Sequence, residues 1–270
     1  RFPGAVHTYS IEAMMQDRKA LQAGTSHFLG QNFSKAQDIK FQDENGRLVH
    51  AWTTSWGVST RLVGGLLMTH SDDDGLVLPP RLAPVHVVVM PIYRDESERA
   101  AVLEYCDALI AQLRDQQYDG EPVRVKLDDR DMRGGDKKWQ HVKRGVPFRV
   151  EIGTRDMAAG QVAVGRRDQS GKPVNLSLNE FIGTIGEQLI AMQQGLFDRA
   201  LALREAHTRT IDALDEFREF FMPKNDDKPE IHGGLAMCHF TEGQEMDELL
   251  KPLKVTIRCV PVDAEEEPGK

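Results

Sequence analysis

The chain has 270 residues, of which 40% are apolar and 28% charged, and its formal net charge is −8 at pH 7. These values are typical of a globular protein long enough for two domains. No apolar run approaches the roughly 18–20 residues of a membrane span, so we expect no membrane association. Three scattered cysteines, Cys106, Cys238 and Cys259, exclude a disulfide framework and favour a cytoplasmic protein.

The charge is unevenly distributed along the chain. Residues 124–172 hold 13 Lys or Arg against 7 Asp or Glu, whereas residues 173–270 hold 10 against 19. Such a basic band inside an acidic protein indicates a surface for a phosphate backbone. A solvated surface of mixed charge is the alternative interpretation.

The first 80 residues predict antiparallel strands followed by a helix. Extended runs at 6–16 and 19–23 form one pair, and runs at 36–42 and 47–54 flank Asn45-Gly46, which is typical of a hairpin turn. Apolar residues from Val58 to Thr69 recur at helical spacing. Residues 79–84, rich in proline, predict a link between domains.

From Val85 onward, strands and helices alternate. We predict strands at 86–92, 122–127, 147–152 and 161–166, helices at 95–117 and 136–144, and a helical stretch from Ser177 through Phe221. This order predicts a compact α/β domain with a mixed sheet. A short α/β piece at 231–262 and a disordered acidic tail at 264–270 follow.

Two stretches combine the residue types that bind nucleotides. Residues 22–35 place an amide, two hydroxyls and an imidazole at the exit of a strand, beside glycines that let a ligand approach the backbone. Residues 54–64 set a Trp, a Gly, two hydroxyls and an Arg at a strand-to-helix junction. Helix N-termini favour anions, and a guanidinium there can bind a phosphate through two hydrogen bonds.

The second stretch, Ser55-Trp56-Gly57-Val58-Ser59-Thr60-Arg61, resembles motif 3 of the class II aminoacyl-tRNA synthetases. Paired with Gln22-Ala23-Gly24-Thr25-Ser26-His27, it is similar to the prolyl-tRNA synthetase family, in the branch shared by archaea, eukaryotes and some bacteria. Residues 72–81 and 143–157 extend the likeness, which covers about residues 1–220.

The resemblance implies three domains: the C-terminal half of a catalytic domain at 1–80, with an antiparallel sheet; an anticodon-binding domain at 85–195; and a helical connector with a small α/β appendage at 196–270. It also implies a proline–tRNA ligase that uses ATP with Mg²⁺ and L-proline, charges proline tRNA, and is a homodimer at full length. Motifs 1 and 2 of the family are not in this chain, so we expect the chain alone to be inactive.

The resemblance implies a role for individual residues, position by position. The residues that it implies for ATP binding are Gln22, Thr25, Ser59 and Arg61, and Arg61 is also the implied catalytic residue. The residues implied for proline binding are His27, Ser55, Trp56 and Gly57. The residues implied for anticodon recognition are Lys137, Lys138, Trp139, Arg149, Glu151 and Arg155. Arg149 and Glu151 lie on the charged face of the strand at 147–152, where Arg can pair with guanine and Glu can accept from a base edge.

The family's appendage often holds a four-cysteine zinc site. Here Cys238 has Gly243 at the position of its expected partner, so we expect no zinc. Two other hypotheses remain open: a non-catalytic tRNA-binding or regulatory protein built on the same domains, and another class II synthetase such as the threonyl, glycyl or histidyl enzyme. The combination of the two motifs argues against the latter.

Overall fold

The computed structural model describes residues 2–223, 225, 233–241 and 243–264. The chain divides into two compact units, one formed by Arg1–Thr69 with Ala202–Lys270 and the other by His70–Leu201. Both mix strands and helices, which confirms the predicted α/β class. The predicted acidic tail lies, except for Ala264, outside the described residues.

The first unit is built on an antiparallel three-stranded sheet of order β1-β2-β5. Its N-terminal elements are β1 (His7–Met14), β2 (Ala20–Gly30), α1 (Asn32–Ala36), β3 (Lys40–Gln42), β4 (Leu48–His50), β5 (Thr53–Gly57) and α2 (Arg61–His70). The β3–β4 pair is the hairpin predicted from Asn45-Gly46, and Gly46 takes the positive φ (77°) that such turns require.

The second unit contains a mixed five-stranded sheet of order β11-β8-β12-β13-β14. Its elements are β6 (Ser71–Asp72), β7 (Gly75–Leu76), β8 (Val87–Ile92), α3 (Glu96–Arg114), β9 (Gln117–Tyr118), β10 (Glu121–Pro122), β11 (Val125–Leu127), α4 (Gly134–Lys143), β12 (Phe148–Gly153), α5 (Thr154–Ala159), β13 (Gln161–Arg166), β14 (Val174–Ser177) and α6 (Leu178–Ala206). Strand β8 runs parallel to β11 and β12, whereas β13 is antiparallel to its neighbours.

The core of the second unit explains its apolar strands. Val87 and Val89 of β8 join one large cluster with side chains of α3 and α6, while Val88 and Met90 pack with Val146 on the other face of the sheet. Both faces of β8 are therefore covered, which accounts for its nearly continuous apolar sequence.

Two predicted elements were wrong in their extent. The strand predicted at 122–127 is divided, because Asp119 and Gly120, both with positive φ, close a β9–β10 hairpin before β11 begins. The helix predicted through Phe221 ends at Ala206: Thr208 and Thr210, β-branched residues, lie in β15 (Thr208–Thr210) and α7 (Leu214–Phe221) follows.

The remaining elements are β16 (Leu235–Met237) and α8 (Gln244–Leu253). Strand β16 pairs in parallel with β15, a long-range partner that helical periodicity cannot reveal. Across the described residues, none of the helices combines the length and apolar character needed to cross a membrane.

Candidate active-site face and anticodon interface

One face of the β1-β2-β5 sheet gathers most of the residues predicted for ATP and proline. Gln22 lies opposite Glu12, Thr25 opposite Ser10 and His27 opposite Thr8. Cross-strand partners point to the same face, and alternate residues of β1 share one face, so these three side chains lie on one side of the sheet.

An irregularity in β2 makes this arrangement possible. Ile11 pairs with Gly24 and Glu12 with Gln22, so Ala23 is skipped in the ladder, as in a β-bulge. Strict alternation would put Gln22 and Thr25, three residues apart, on opposite faces. The bulge therefore brings together two side chains that a regular strand would separate.

Strand β5 adds two more of the predicted residues to this face. Ser55 pairs with His27, and Gly57 pairs with Thr25. A Cβ on Gly57 would lie 2.9 Å from Oγ1 of Thr25, so the glycine makes room for that hydroxyl. Trp56 pairs with Ser26 on the opposite face and is 80% exposed, so the structure does not bring its side chain together with Ser55 and Gly57.

His27 is held by its neighbours rather than left free. Its ring is buried, Nδ1 lies 3.1 Å from Oγ1 of Thr8, and the ring stacks on Phe2 with centroids 4.2 Å apart. These contacts fix the orientation of the imidazole in the sheet face.

Arg61, the first residue of α2, is anchored beside the same strand. Its Nη1 donates to the carbonyl oxygen of Gln22 at 3.2 Å, and its backbone N–H donates to Oγ of Ser59 at 3.3 Å. The side chains of Arg61 and Ser59 are exposed. A guanidinium, a helix N-terminus and a polar sheet face thus meet at Gln22, the arrangement expected for an anionic ligand.

Glu12 is a member of this face that the sequence prediction missed. Its Oε1 accepts from Nε2 of Gln22 at 3.5 Å, and its Oε2 accepts from Nε and Nη2 of Arg258 at 3.0 and 2.7 Å. Only the strand register identifies it, since no motif singles out this glutamate.

In the second unit, Arg149 on β12 is buried, whereas Glu151 two residues later is only half-buried. Within the described part of the chain, Nε and Nη1 of Arg149 have no hydrogen-bond partner, and the guanidinium packs against Gly165 of β13. Burial, assisted by the positive charge of Arg167, holds the pKa of Arg149 below its usual value. A buried cation with two such nitrogens is costly, and this distinguishes Arg149 from the other residues predicted for the anticodon.

The other predicted anticodon residues differ in exposure. Nζ of Lys138 pairs with Oε1 of Glu151 at 2.9 Å, Trp139 is 46% exposed, and Arg155 is exposed on α5. Lys137 is buried instead, and its ammonium donates to the carbonyl oxygen of Asp128 at 3.1 Å. Lys138 and Trp139 are therefore the members of this trio on α4 that reach the surface.

Asp128 organises the segment around α4, and sequence analysis did not predict its role. The buried carboxylate accepts two hydrogen bonds of 2.7 Å from Arg130, and Nε2 of His141 lies 2.7 Å from its Oδ2. The hydrogen bonds from Arg130 hold the pKa of Asp128 far below its usual range, while burial lowers the pKa of His141. A neutral His141 therefore donates to an ionised Asp128.

A family match identifies the kind of domain to which the second unit is similar. Residues 86–188 match the family described as "Anticodon binding domain". The matched region contains the five-stranded sheet together with Arg149, Glu151 and α4, and it lies within the domain predicted at 85–195.

The whole chain is also similar to named enzymes. It is 63% identical over 261 residues to the proline–tRNA ligase of Rhodopirellula baltica, covering 97% of this chain and 51% of that protein. It is 56% identical over 270 residues to the proline–tRNA ligase of Bdellovibrio bacteriovorus, covering 100% of this chain and 53% of that protein. The chain spans about half the length of the curated relatives it matches. These matches confirm the resemblance to the prolyl-tRNA synthetase family.

Proposed function

We propose that this chain is the part of a proline–tRNA ligase that completes the active site and reads the anticodon. The observation that carries the proposal is the single sheet face on which Gln22, Thr25, His27, Ser55 and Gly57 meet, with the Arg61 guanidinium anchored at Gln22. The identity to proline–tRNA ligases over the whole chain supports it. The reaction joins proline and ATP into prolyl-adenylate, releases pyrophosphate and passes proline to the terminal ribose of proline tRNA.

The ATP site falls on Gln22, Thr25, Ser59 and Arg61. Arg61 leads an α-helix and is exposed, so its guanidinium can bind phosphate oxygens while one N–H stays on the Gln22 carbonyl. Mg²⁺ carried by the nucleotide would neutralise part of the phosphate charge. The polar, partly exposed amide of Gln22 fits a place beside those phosphates. Catalysis here depends on positioning and charge stabilisation, because no covalent nucleophile is required.

The proline site falls on His27, Ser55 and Gly57, with Trp56 contributing from the backbone between them. The imidazole is fixed by Thr8 and Phe2, so it forms a rigid wall rather than a mobile acid or base. Contacts to a single methylene group discriminate between substrates by only about 1–3 kcal/mol, so we expect misactivation of alanine.

The anticodon site falls on Arg149 and Glu151, with Lys138, Trp139 and Arg155 at its surface. An arginine can pair with the O6 and N7 acceptors of a guanine, and the proline anticodon contains two guanines. Because Nε and Nη1 of Arg149 are buried, this contact requires the side chain to move toward the surface. Trp139 offers an exposed ring for stacking. Lys137 contributes indirectly by tying α4 to Asp128. We further propose that the full-length enzyme is a cytoplasmic homodimer.

Proline-dependent exchange of pyrophosphate into ATP tests the proposal in a protein that contains this chain and has the full length of its relatives. We expect exchange with proline, and a loss of about 100-fold or more in kcat/KM on Arg61→Ala, because a charge-stabilising group is removed. Arg47→Ala, an exposed arginine of the β3–β4 hairpin, is the matched control and should leave exchange unchanged. Absence of exchange with proline, or stronger exchange with threonine, would contradict the proposal.

A further inference from the structure

The sheet face that carries the candidate ATP residues also contains a carboxylate with little access to water. Glu12 of β1 lies opposite Gln22 of β2, and its side chain is 8% exposed. The carbonyl oxygen of Gln22 accepts from the Arg61 guanidinium at 3.2 Å, so the carboxylate adjoins the place proposed for the phosphates. An ionised Glu12 without a positive partner would repel a phosphate group bound there.

Arg258 supplies that positive partner. Its Nε and Nη2 donate to Oε2 of Glu12 at 3.0 and 2.7 Å. Hydrogen bonds between a guanidinium and a carboxylate are charge-assisted, and the side chains of Glu12 and Arg258 are only 8% and 33% exposed. Because both contacts use Oε2, the second carboxylate oxygen, Oε1, stays available to Gln22.

The Gln22 amide takes its direction from this second oxygen. Nε2 of Gln22 donates to Oε1 of Glu12 at 3.5 Å, a long hydrogen bond. An ionised carboxylate only accepts hydrogen bonds, so it draws the amino end of the amide toward itself. The amide oxygen of Gln22, an acceptor, is thereby left for donor groups or cations of a ligand.

Arg258 reaches Glu12 from 246 positions further along the chain, within the same compact unit. Helix α8 ends at Leu253, and Lys254 takes a φ of 56°, the left-handed conformation that commonly ends helices. The N–H of Val255 donates to the carbonyl oxygen of buried Leu250 at 3.2 Å. The segment that follows this helix end contributes a charged side chain to the candidate ATP face.

We propose that Arg258 is a positioning residue for ATP binding, which neutralises Glu12 so that this carboxylate orients the Gln22 amide without repelling the phosphates. The inference rests on the proposed function, in which Gln22 and Arg61 bind ATP. Removing Arg258 alone leaves an uncompensated carboxylate beside the phosphates. Removing the charges of Arg258 and Glu12 together leaves none, so the second change should reverse the effect of the first.

The test is proline-dependent exchange of pyrophosphate into ATP by the full-length protein, with kcat and the KM values for ATP and for proline measured separately. For Arg258→Ala we expect the KM for ATP to rise by about 10-fold, because the unpaired carboxylate repels the phosphates. The KM for proline, which carries no net charge, should change by less than about 2-fold. Lys251→Ala removes an exposed positive charge from α8 and is the matched control, which should leave both KM values unchanged.

A double variant separates the role of charge from a role in folding. Glu12→Gln combined with Arg258→Ala should bring the KM for ATP back to within about 3-fold of the unmodified protein, because no uncompensated charge remains. Arg258→Lys keeps the charge but loses the two-pronged contact, so it should raise the KM for ATP by only about 3-fold. If Arg258→Ala fails to fold, the double variant and Arg258→Lys decide.

The proposal is overturned if Arg258→Ala leaves the KM for ATP unchanged. It is equally overturned if that variant raises both KM values alike and Glu12→Gln does not restore the KM for ATP, which is the pattern of a residue that only supports the fold. Absence of proline-dependent exchange in the unmodified protein would contradict the proposed function instead.

Discussion

At the scale of single residues, Arg149 combines a cost to folding with a proposed role in recognition. Burying a polar group without partners costs about 1–3 kcal/mol, and here two nitrogens of a cation lack partners among the residues that the structure describes. The nearest carboxylate on the same strand does not compensate the charge fully, because Glu151 pairs with Lys138. Unsatisfied groups of this kind concentrate at binding sites, where the ligand supplies the missing partner.

Arg149→Met should therefore change stability and RNA binding in opposite directions. We expect the free energy of unfolding to rise by about 1–3 kcal/mol, since an apolar side chain of similar length removes the unpaired cation. Binding of proline tRNA should weaken by about 10–100-fold, because the base contact is lost. Urea denaturation and filter binding measure the two effects.

Arg144→Ala, an exposed arginine just after α4, is the control and should change stability little. A variant Arg149→Met that is less stable than the parent would show that the guanidinium has structural partners after all.

At the scale of elements, the segment at 79–84 is held in place rather than free. Buried His86 donates from Nε2 to the carbonyl oxygen of Pro80 at 3.1 Å, and its Nδ1 accepts from the backbone N–H of Arg124 at 3.1 Å. The Arg124 guanidinium donates to the carbonyl oxygens of Ala83 and Pro80. The proline-rich segment predicted as a link is thus fastened to the start of β8.

The burial of His86 beside Arg124 predicts that the stability of the fold depends on pH. Burial, together with the Arg124 charge, lowers the pKa of His86 from 6.5 to about 4. The unfolded chain therefore binds more protons between these values, and stability falls as the pH drops from 6.5 to 4, by up to about 3 kcal/mol. Above pH 6.5 the ring is neutral in both states and contributes no pH dependence.

Urea denaturation of the parent and of His86→Gln at several pH values checks this expectation. The variant should be less stable at pH 7, because it lacks the rigid ring, but its stability should change less between pH 6.5 and 4. An equal pH dependence in the two proteins would show that other groups cause it.

At the scale of the whole molecule, charge is divided between an acidic chain and a basic band. The band at 124–172 includes Lys138, Arg149 and Arg155, whereas the net charge of the chain is −8. Local rather than net charge governs the approach of a polyanion, because charges more than about 10 Å away are screened at ordinary ionic strength.

Binding of the 270-residue chain to proline tRNA should therefore depend steeply on salt. About four phosphate contacts on single-stranded RNA would lower the affinity by roughly 50-fold between 50 and 200 mM salt. Filter binding across this range gives the slope. A salt-insensitive signal would contradict a role of the basic band in binding phosphates.

Apolar periodicity and turn chemistry were enough to predict most of the helices and the β8 strand. They failed at β15, where pairing with β16 overrides helical spacing, because such a partner lies about 27 residues further along the chain. The family resemblance, confirmed by comparison, came from contiguous motifs, in which residue type and spacing carry the chemistry directly. For this reason the amino-acid sequence alone was enough to nominate Gln22, Thr25, His27 and Arg61 as site residues.

What only the tertiary structure decided depends on register and burial. The bulge at Ala23 places the Gln22 side chain on the same sheet face as Thr25. Packing over β12 buries Arg149, two of whose nitrogens have no hydrogen-bond partner in the described part of the chain. The ion pair between Arg167 and Asp72 joins residues that are 95 positions apart in the chain. The sequence by itself determines local conformation and residue chemistry, but partners brought together by long-range packing are set by the free energy of the whole fold, which no single segment encodes.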